Sequence, residues 1–293
     1  MTWFSGLEEI CQPDVPLRDH TWYGLGGPAR WLCTPRDEDQ LAELLRRCGM
    51  QNVPWRILGQ GANIVVRDEG VEGAVIKLAG PPWDTIAFDR PRVYAGGGAD
   101  FTKVVRQTVD RGLAGLEHLA GIPGTVGGVI RMNAGGRHGH VGQCIQDVRV
   151  MTPDGTRQTR TAAQMAFGYR TSKLDGGVVL GATFALQPAD PQATLDRFRR
   201  IWHEKAESQP AVSARSAGCI FKNPPGQAAG ALLDQAGLKR RRCGGAEISP
   251  KHANFIVAHP GATAQNVLDL IALAREAVHN RTGIALELEV EVW

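Results

Sequence analysis

No apolar run in the 293 residues approaches the ~20 needed to cross a bilayer, so no membrane insertion is expected. The opening residues carry neither a basic stretch nor a long apolar one, and no secretory leader is expected. The six cysteines form no CxxC pair and no close framework, which in a chain of this length reads as reduced thiols and a cytoplasmic protein. Metal-ligand spacing is missing too. His138-Gly-His140 stands without clear carboxylate or cysteine partners, so no metal centre is expected. Neither sign of charge dominates: 33 basic residues against 30 acidic leave +3, with no general pull toward nucleic acid or an anionic membrane. No GxGxxG opens a helix and no GxxxxGK[ST] occurs, which removes the dinucleotide and P-loop fingerprints. There is no internal repeat, and 43% hydrophobic with 22% charged residues belongs to a packed globular chain rather than a disordered one.

Glycine is the excess. Thirty-six of 293 residues is roughly one in eight, against a usual share near 7%, and no Gly-X-Y period accounts for it. Many backbone positions therefore need a positive φ or a close neighbour.

At about 100–200 residues per domain the length predicts two or three domains. Pro81-Pro82 and Pro188-Ala-Asp-Pro191 are the candidate boundaries. Helical spacing predicts helices over 37–47, after Asp100, around Leu195, Phe198, Ile201 and Trp202, and after Thr263. Strands are expected at 55–58, 63–66, 74–78, 92–95, 147–152, 178–184, 219–221 and 254–257. The chain ends on strict alternation: Leu286, Leu288, Val290 and Val292 toward a core, Glu287, Glu289 and Glu291 on the other face. The class is α+β or mixed α/β.

Two glycine stretches stand out. In the first, a strand runs into Gly59-Gln-Gly61-Ala-Asn63 and a second strand follows. Successive N–H groups there suit either an anion nest or a plain glycine hairpin. The second, Leu119 to Gly136, is too apolar for a surface loop, while a buried loop must satisfy its backbone polar groups. A cofactor lying along the backbone would answer both demands.

Six motifs then occur in one order: Arg56-Ile-Leu-Gly-Gln-Gly-Ala-Asn-Ile-Val-Val66, Ala120-Gly-Ile-Pro-Gly-Thr-Val-Gly-Gly128, Met132-Asn-Ala-Gly135, Phe167-Gly-Tyr-Arg170, Ala217-Gly-Cys-Ile-Phe-Lys-Asn-Pro224 and Lys251-His-Ala-Asn-Phe255. Together they resemble the UDP-N-acetylenolpyruvoylglucosamine reductases, flavoenzymes of peptidoglycan precursor synthesis. The likeness runs from Thr21-Trp-Tyr-Gly-Leu-Gly-Gly27 to the last strand. Each motif alone is weak, and the ordered set is specific.

The resemblance implies an α+β fold: a two-part FAD-binding region of the vanillyl-alcohol-oxidase type, residues 1–80 and 81–188, and a substrate-binding domain, 189–293. It implies non-covalent FAD, NADPH as reductant and a nucleotide-sugar substrate. Gly59, Gln60, Gly61, Ala62 and Asn63 would hold the FAD pyrophosphate, and Gly121, Ile122, Pro123, Gly124, Thr125, Gly127, Gly128, Asn133 and Ala134 would line the rest of the cofactor. Gln60 and Ala62 stand where glycine and serine are commoner in the family.

Arg170 matches the family's catalytic arginine, a planar and permanently charged donor suited to a carboxylate or enolate oxygen. Glu289 matches the C-terminal glutamate that orients and polarises the enolate oxygen; alternation alone does not choose it over Glu287 or Glu291. Cys219 is a departure, because the family usually places serine here as proton donor to the carbon beside the carboxylate. A thiol with a reference pKa of about 8.5 is still mostly protonated at pH 7 and can donate; the alternatives are a structural cysteine with Ser216 or a water as donor. Tyr169, Lys222, Asn223 and Asn254 are the implied substrate contacts, and Arg242, in the basic run 239–242, is either a solvated charge or a diphosphate ligand. The short span from Asn223 to Lys251 leaves little room for an inserted tyrosine loop, so the chain resembles the shorter type. Two rivals remain: an FAD-dependent sugar or alcohol oxidase of the same fold, and a non-catalytic nucleotide-sugar binding module.

Overall fold

The structure is a computed structural model that describes residues 3–293. The chain divides into two compact units. The first takes the N-terminal stretch to Pro13, Trp31–Gly59 and Gly73–Glu204; the second takes Asp14–Arg30, Gln60–Glu72 and Lys205–Trp293.

The first unit has two apolar cores. One lies beneath a sheet ordered Arg157–Thr161, Ile145–Met151, Val178–Ala185, Arg92–Gly96, Ile86–Asp89, antiparallel at every pairing. Helix α2, Phe101–Asp110, packs there because Phe101, Val104 and Val105 recur at helical spacing. Asp100 starts it, accepting a hydrogen bond from the Lys103 N–H at 3.2 Å. The second core uses a sheet ordered Cys11–Pro16, Pro28–Cys33, Val71–Lys77, Trp55–Leu58, the last two parallel with Trp55 opposite Ala74. Helix α1, Glu38–Met50, caps on Asp37 and buries Leu41, Leu44, Leu45 and Cys48 against it. Helix α3, Val126–Arg131, follows the second glycine stretch, and α4, Pro191–Ser208, leads the chain out of the unit.

The second unit builds its core from helices α5, Ala229–Gln235, and α6, Ala264–Thr282, against a three-stranded antiparallel sheet, Arg242–Cys243, Ala246–Ile248 and Ile256–Ala258. Tyr23 and Val65, from the two early segments, are part of that core. Helix α6 begins on a reciprocal cap between Thr263 and Asn266, and Asp68 accepts from the N–H groups of Ala264 and Gln265, both at 3.0 Å.

Two expected strands differ. Residues 219–221 form no strand, only a single bridge from Phe221 to Leu288. Of 286–292, only Glu291–Val292 forms a ladder, parallel to Ile64–Val65. The reason is local: the N–H groups of Glu289 and Val290 both point at the Ile220 carbonyl, at 2.8 and 3.3 Å, which breaks a period-2 ladder. Leu286 and Val290 still turn inward as the alternation requires. Among the described residues, no helix is long and apolar enough to cross a membrane.

Candidate functional site

In the first unit the two glycine stretches meet. A Cβ at Gly59 would lie 2.7 Å from Thr125 Oγ1, and that same hydroxyl accepts the Gly128 N–H at 3.3 Å to start α3. Glycine at 59 is thus demanded by the protein's own chain. The N–H of Gly127 donates to the Gly97 carbonyl at 2.8 Å and that of Val126 to Ala99 at 2.9 Å, so the loop's backbone polar groups are in part satisfied internally. Gly121, Ile122 and Pro123 remain partly accessible, with Ile122 packed on the core and Gly121 left-handed at φ 72°. This half-exposed, apolar, glycine-built surface fits a planar aromatic cofactor, because little side-chain bulk stands between ligand and backbone.

Beyond it, Asn133 is 3% exposed and its amide is spent on the protein. Its Oδ1 accepts from the Gly142 N–H at 3.1 Å and lies 3.0 Å from His140 Nδ1, while its Nδ2 donates to the Gly168 carbonyl at 2.8 Å. Gly168 and Thr171 exchange both backbone hydrogen bonds, so Tyr169 and Arg170 form the tip of a tight turn. Arg170 Nη1 donates to the Gly135 carbonyl at 3.0 Å, and its guanidinium lies 5.2 Å from the centroid of the Tyr169 ring, a residue 56% exposed. Two bonds therefore tie the turn to the chain around Asn133, one by way of Gly168 and one by way of Gly135. His138 bonds Glu204 at 3.0 Å, and Arg137 shares that carboxylate.

In the second unit three distant segments join. Asn63 Nδ2 donates to the Glu289 carbonyl at 3.0 Å, and Glu291 N–H donates back to the Asn63 carbonyl at 3.0 Å. Glu289 N–H donates to Ile220, Ile220 N–H to the Asn254 carbonyl at 2.9 Å, and Lys222 N–H to the Glu287 carbonyl at 2.9 Å. Asn254, 2% exposed, closes the network from its side chain: Oδ1 accepts the Phe221 N–H at 2.9 Å and Nδ2 donates to the Phe221 carbonyl at 2.8 Å. It acts as a third strand one residue long. Its side chain thereby brackets the chain that carries Cys219. Cys219 itself is half-buried and follows left-handed Gly218, φ 73°. Gly61 is also left-handed, and a Cβ there would lie 2.3 Å from the His20 carbonyl oxygen.

Other implied contacts have protein partners. Asn223 Oδ1 accepts from the Ala229 N–H at 2.9 Å at the start of α5, and Lys222 Nζ lies 3.4 Å from exposed Glu287. Arg242 donates through Nε and Nη2 to Glu247, at 2.9 and 2.6 Å, and His259 Nε2 sits 2.9 Å from the same carboxylate. Burial works against that carboxylate's charge, but the Arg242 and His259 hydrogen bonds outweigh it and hold Glu247 below the usual carboxylate range. His252 Nδ1 accepts the Asn254 N–H at 3.2 Å, and burial pushes its pKa down, with the Lys239 charge adding to the effect. The bracketing by Asn63 and Asn254 had no local signal, since every partner lies far away in sequence.

Residues 29–160 match the family described as FAD binding domain, and residues 209–293 match UDP-N-acetylenolpyruvoylglucosamine reductase, C-terminal domain. The fold is thus that of a flavoprotein, an FAD-binding domain together with an α+β reductase C-terminal domain. UDP-N-acetylenolpyruvoylglucosamine reductase 2 of Symbiobacterium thermophilum is 42% identical over 95% of this chain and 90% of its own length. The Moorella thermoacetica reductase is 39% identical over 99% of this chain and 95% of its own. A crystal structure of the Thermus caldophilus reductase superposes with a TM-score of 0.83 at 38% identity, covering 97% of this chain and 98% of that one. The chain belongs to the UDP-N-acetylenolpyruvoylglucosamine reductase family.

Proposed function

We propose that this chain is the NADPH-dependent flavoenzyme that reduces the enolpyruvyl group of UDP-N-acetylenolpyruvoylglucosamine, giving UDP-N-acetylmuramate for peptidoglycan precursors. It works in the cytoplasm, where its reduced thiols and a nucleotide-sugar substrate belong together. Residues 1–80 and 81–188 are assigned to cofactor binding, apart from 14–30 and 60–72, which pack with 205–293; 189–293 are assigned to substrate binding. The observation that carries the reading is a chain aligned over nearly its full length with reductases, in which the Cys219 segment and Glu289 are joined by the Ile220–Glu289 hydrogen bond. The oxidase and binding-module rivals are not favoured, because the relatives that span the whole chain are named as reductases.

Bound FAD supplies the redox chemistry: two electrons taken from NADPH and given, as hydride, to the enol-ether methylene carbon. The residues 59–63, 121–125, 127, 128, 133 and 134 are assigned to holding it, with Asn133 serving mainly by support of the 168–171 turn. Arg170 presents fixed positive charge to the substrate carboxylate, where negative charge grows as the enolate develops. Glu289 orients the enolate oxygen, and the Cys219 thiol gives its proton to the carbon next to the carboxylate. Tyr169, Lys222 and Asn223 border the substrate, and Asn254 acts one step back, through Phe221.

The test is an absorption spectrum of the purified protein, repeated anaerobically with NADPH and then with the enolpyruvyl sugar nucleotide. Flavin bands that bleach with NADPH and return with substrate are expected. Bleaching without return points to the oxidase, and no flavin after incubation with FAD leaves only the binding module.

A further inference from the structure

Cys11 and Cys33 close the two ends of the strands that send the chain out of the first unit and bring it back. Cys11 opens the strand Cys11–Pro16 and Cys33 ends the strand Pro28–Cys33, its neighbour in the sheet. The residues between them include Asp14–Arg30, the first of the segments that belong to the second unit. The Thr34 N–H donates to the Ile10 carbonyl at 2.8 Å, which holds the two ends together beside the thiols. The two sulfurs are 2.8 Å apart, in hydrogen-bond contact, and both residues are buried, at 5% and 0% exposure.

We propose that Cys11 and Cys33 are a reversible disulfide site, a dithiol at rest that a low-molecular-mass disulfide oxidises. An S–S bond needs the two Cβ carbons about 3.5–4.5 Å apart and pointing at one another. Neighbouring strands with sulfurs already touching meet that demand with little backbone movement. Cys11, the more accessible, attacks first: its sulfur forms a mixed disulfide with one sulfur of the reagent, and the other sulfur leaves as thiolate. Cys33 then attacks the Cys11 sulfur and expels the second reagent thiolate. Overall the protein gives up two electrons and two protons, and one reagent disulfide becomes two thiols. The Cys33 hydrogen bond, which lowers the pKa of Cys11, agrees with that order of attack. Cys48, a third buried thiol of the same core, is the competitor. The bond would close the stem of the excursion that carries Tyr23, whose hydroxyl donates to the Ile256 carbonyl at 3.1 Å. The product is a stapled stem.

The experiment is a thiol count and peptide map of the full-length protein before and after incubation with oxidised glutathione. Two of the six thiols are expected to disappear, the mass to fall by about 2 Da as two hydrogens leave, and one cross-linked peptide pair to hold Cys11 and Cys33. A dithiol reductant restores all six. Cys48→Ser keeps the reaction, and Cys11→Ser or Cys33→Ser abolishes it. Six thiols that persist, a stable glutathione adduct on Cys11 or Cys33, or a bridge that involves Cys48 would each overturn the proposal. The wild-type map decides the matter even if a serine variant does not fold.

Discussion

At the scale of the residue, the chemistry and its support separate. Cys219→Ala is expected to leave reduction of the flavin by NADPH unchanged and to slow reoxidation by substrate by about 10²–10⁴, the usual worth of a positioned proton donor. Cys219→Ser is expected to remain active. Rapid-mixing measurement of each half-reaction checks this, and near-normal reoxidation in the alanine variant removes Cys219 from the mechanism. Asn254 behaves in the opposite way. Replacing it with leucine strands the buried N–H and C=O of Phe221, at about 1–3 kcal/mol each, so the melting temperature should fall sharply. Asn254→Asp keeps the acceptor but sets a buried carboxylate against a carbonyl, and should also destabilise. A normal melting temperature with only a raised KM would make Asn254 a substrate contact instead. Glu289 is a candidate by resemblance alone, whereas the candidacy of Arg170 and Cys219 was legible because each sits in a short contiguous motif. The task of Asn254 was not, since its motif is local while both its hydrogen bonds reach back across 33 residues.

At the scale of the element, local signals worked where the physics is local. Asp37, Asp100 and Thr263 each accept a hydrogen bond from the N–H three residues on and start the helix that the spacing had suggested. The C-terminal strand is shorter than its alternation predicts for the converse reason: alternation records which side chains are buried, and says nothing of where each N–H goes. The Lys251–Phe255 stretch joins the two kinds of information. His252 is half-buried and must be neutral for Nδ1 to accept the Asn254 N–H. Its folded pKa lies below the ordinary 6.5, from burial first and then the Lys239 charge. A depressed histidine costs nothing at high pH, where both states are neutral. As pH falls below 6.5 the unfolded chain takes up the proton and the folded one resists, so stability is lost on the acid side. His118 adds to the same slope, since burial depresses it too, opposed by the Glu117 charge. Denaturant midpoints measured from pH 8 to pH 5 should therefore fall, and fall less in His252→Asn, whose Oδ1 can take the place of Nδ1. An unaltered slope in that variant would show that His252 binds its proton equally in the folded and unfolded chain, and that burial does not depress it.

At the scale of the whole molecule, contiguity is the wrong guide to what folds together. Proline-rich boundaries near 81 and 188 describe where composition changes, whereas packing is decided by which apolar faces meet. Residues 14–30 and 60–72 lie early in the sequence and belong to the C-terminal unit, and the family match over 209–293 contains neither. The consequence is measurable. A fragment of residues 205–293 lacks Tyr23 and Val65, each 1% exposed in its core, and at about 1.5–3 kcal/mol per large buried side chain their loss approaches the low end of a domain's 5–15 kcal/mol. It also lacks Ile64–Val65, the partner strand of Glu291–Val292, and Asp68 at the start of α6. The unpaired C-terminal segment would expose the backbone groups that the strand now satisfies. We expect the fragment to melt without a cooperative transition by circular dichroism, and a version that also carries 14–30 and 60–72 through flexible linkers to regain one. A sigmoidal transition in the bare fragment would mean that the C-terminal core closes without its early segments, and that Tyr23 and Val65 are passengers on a domain already complete.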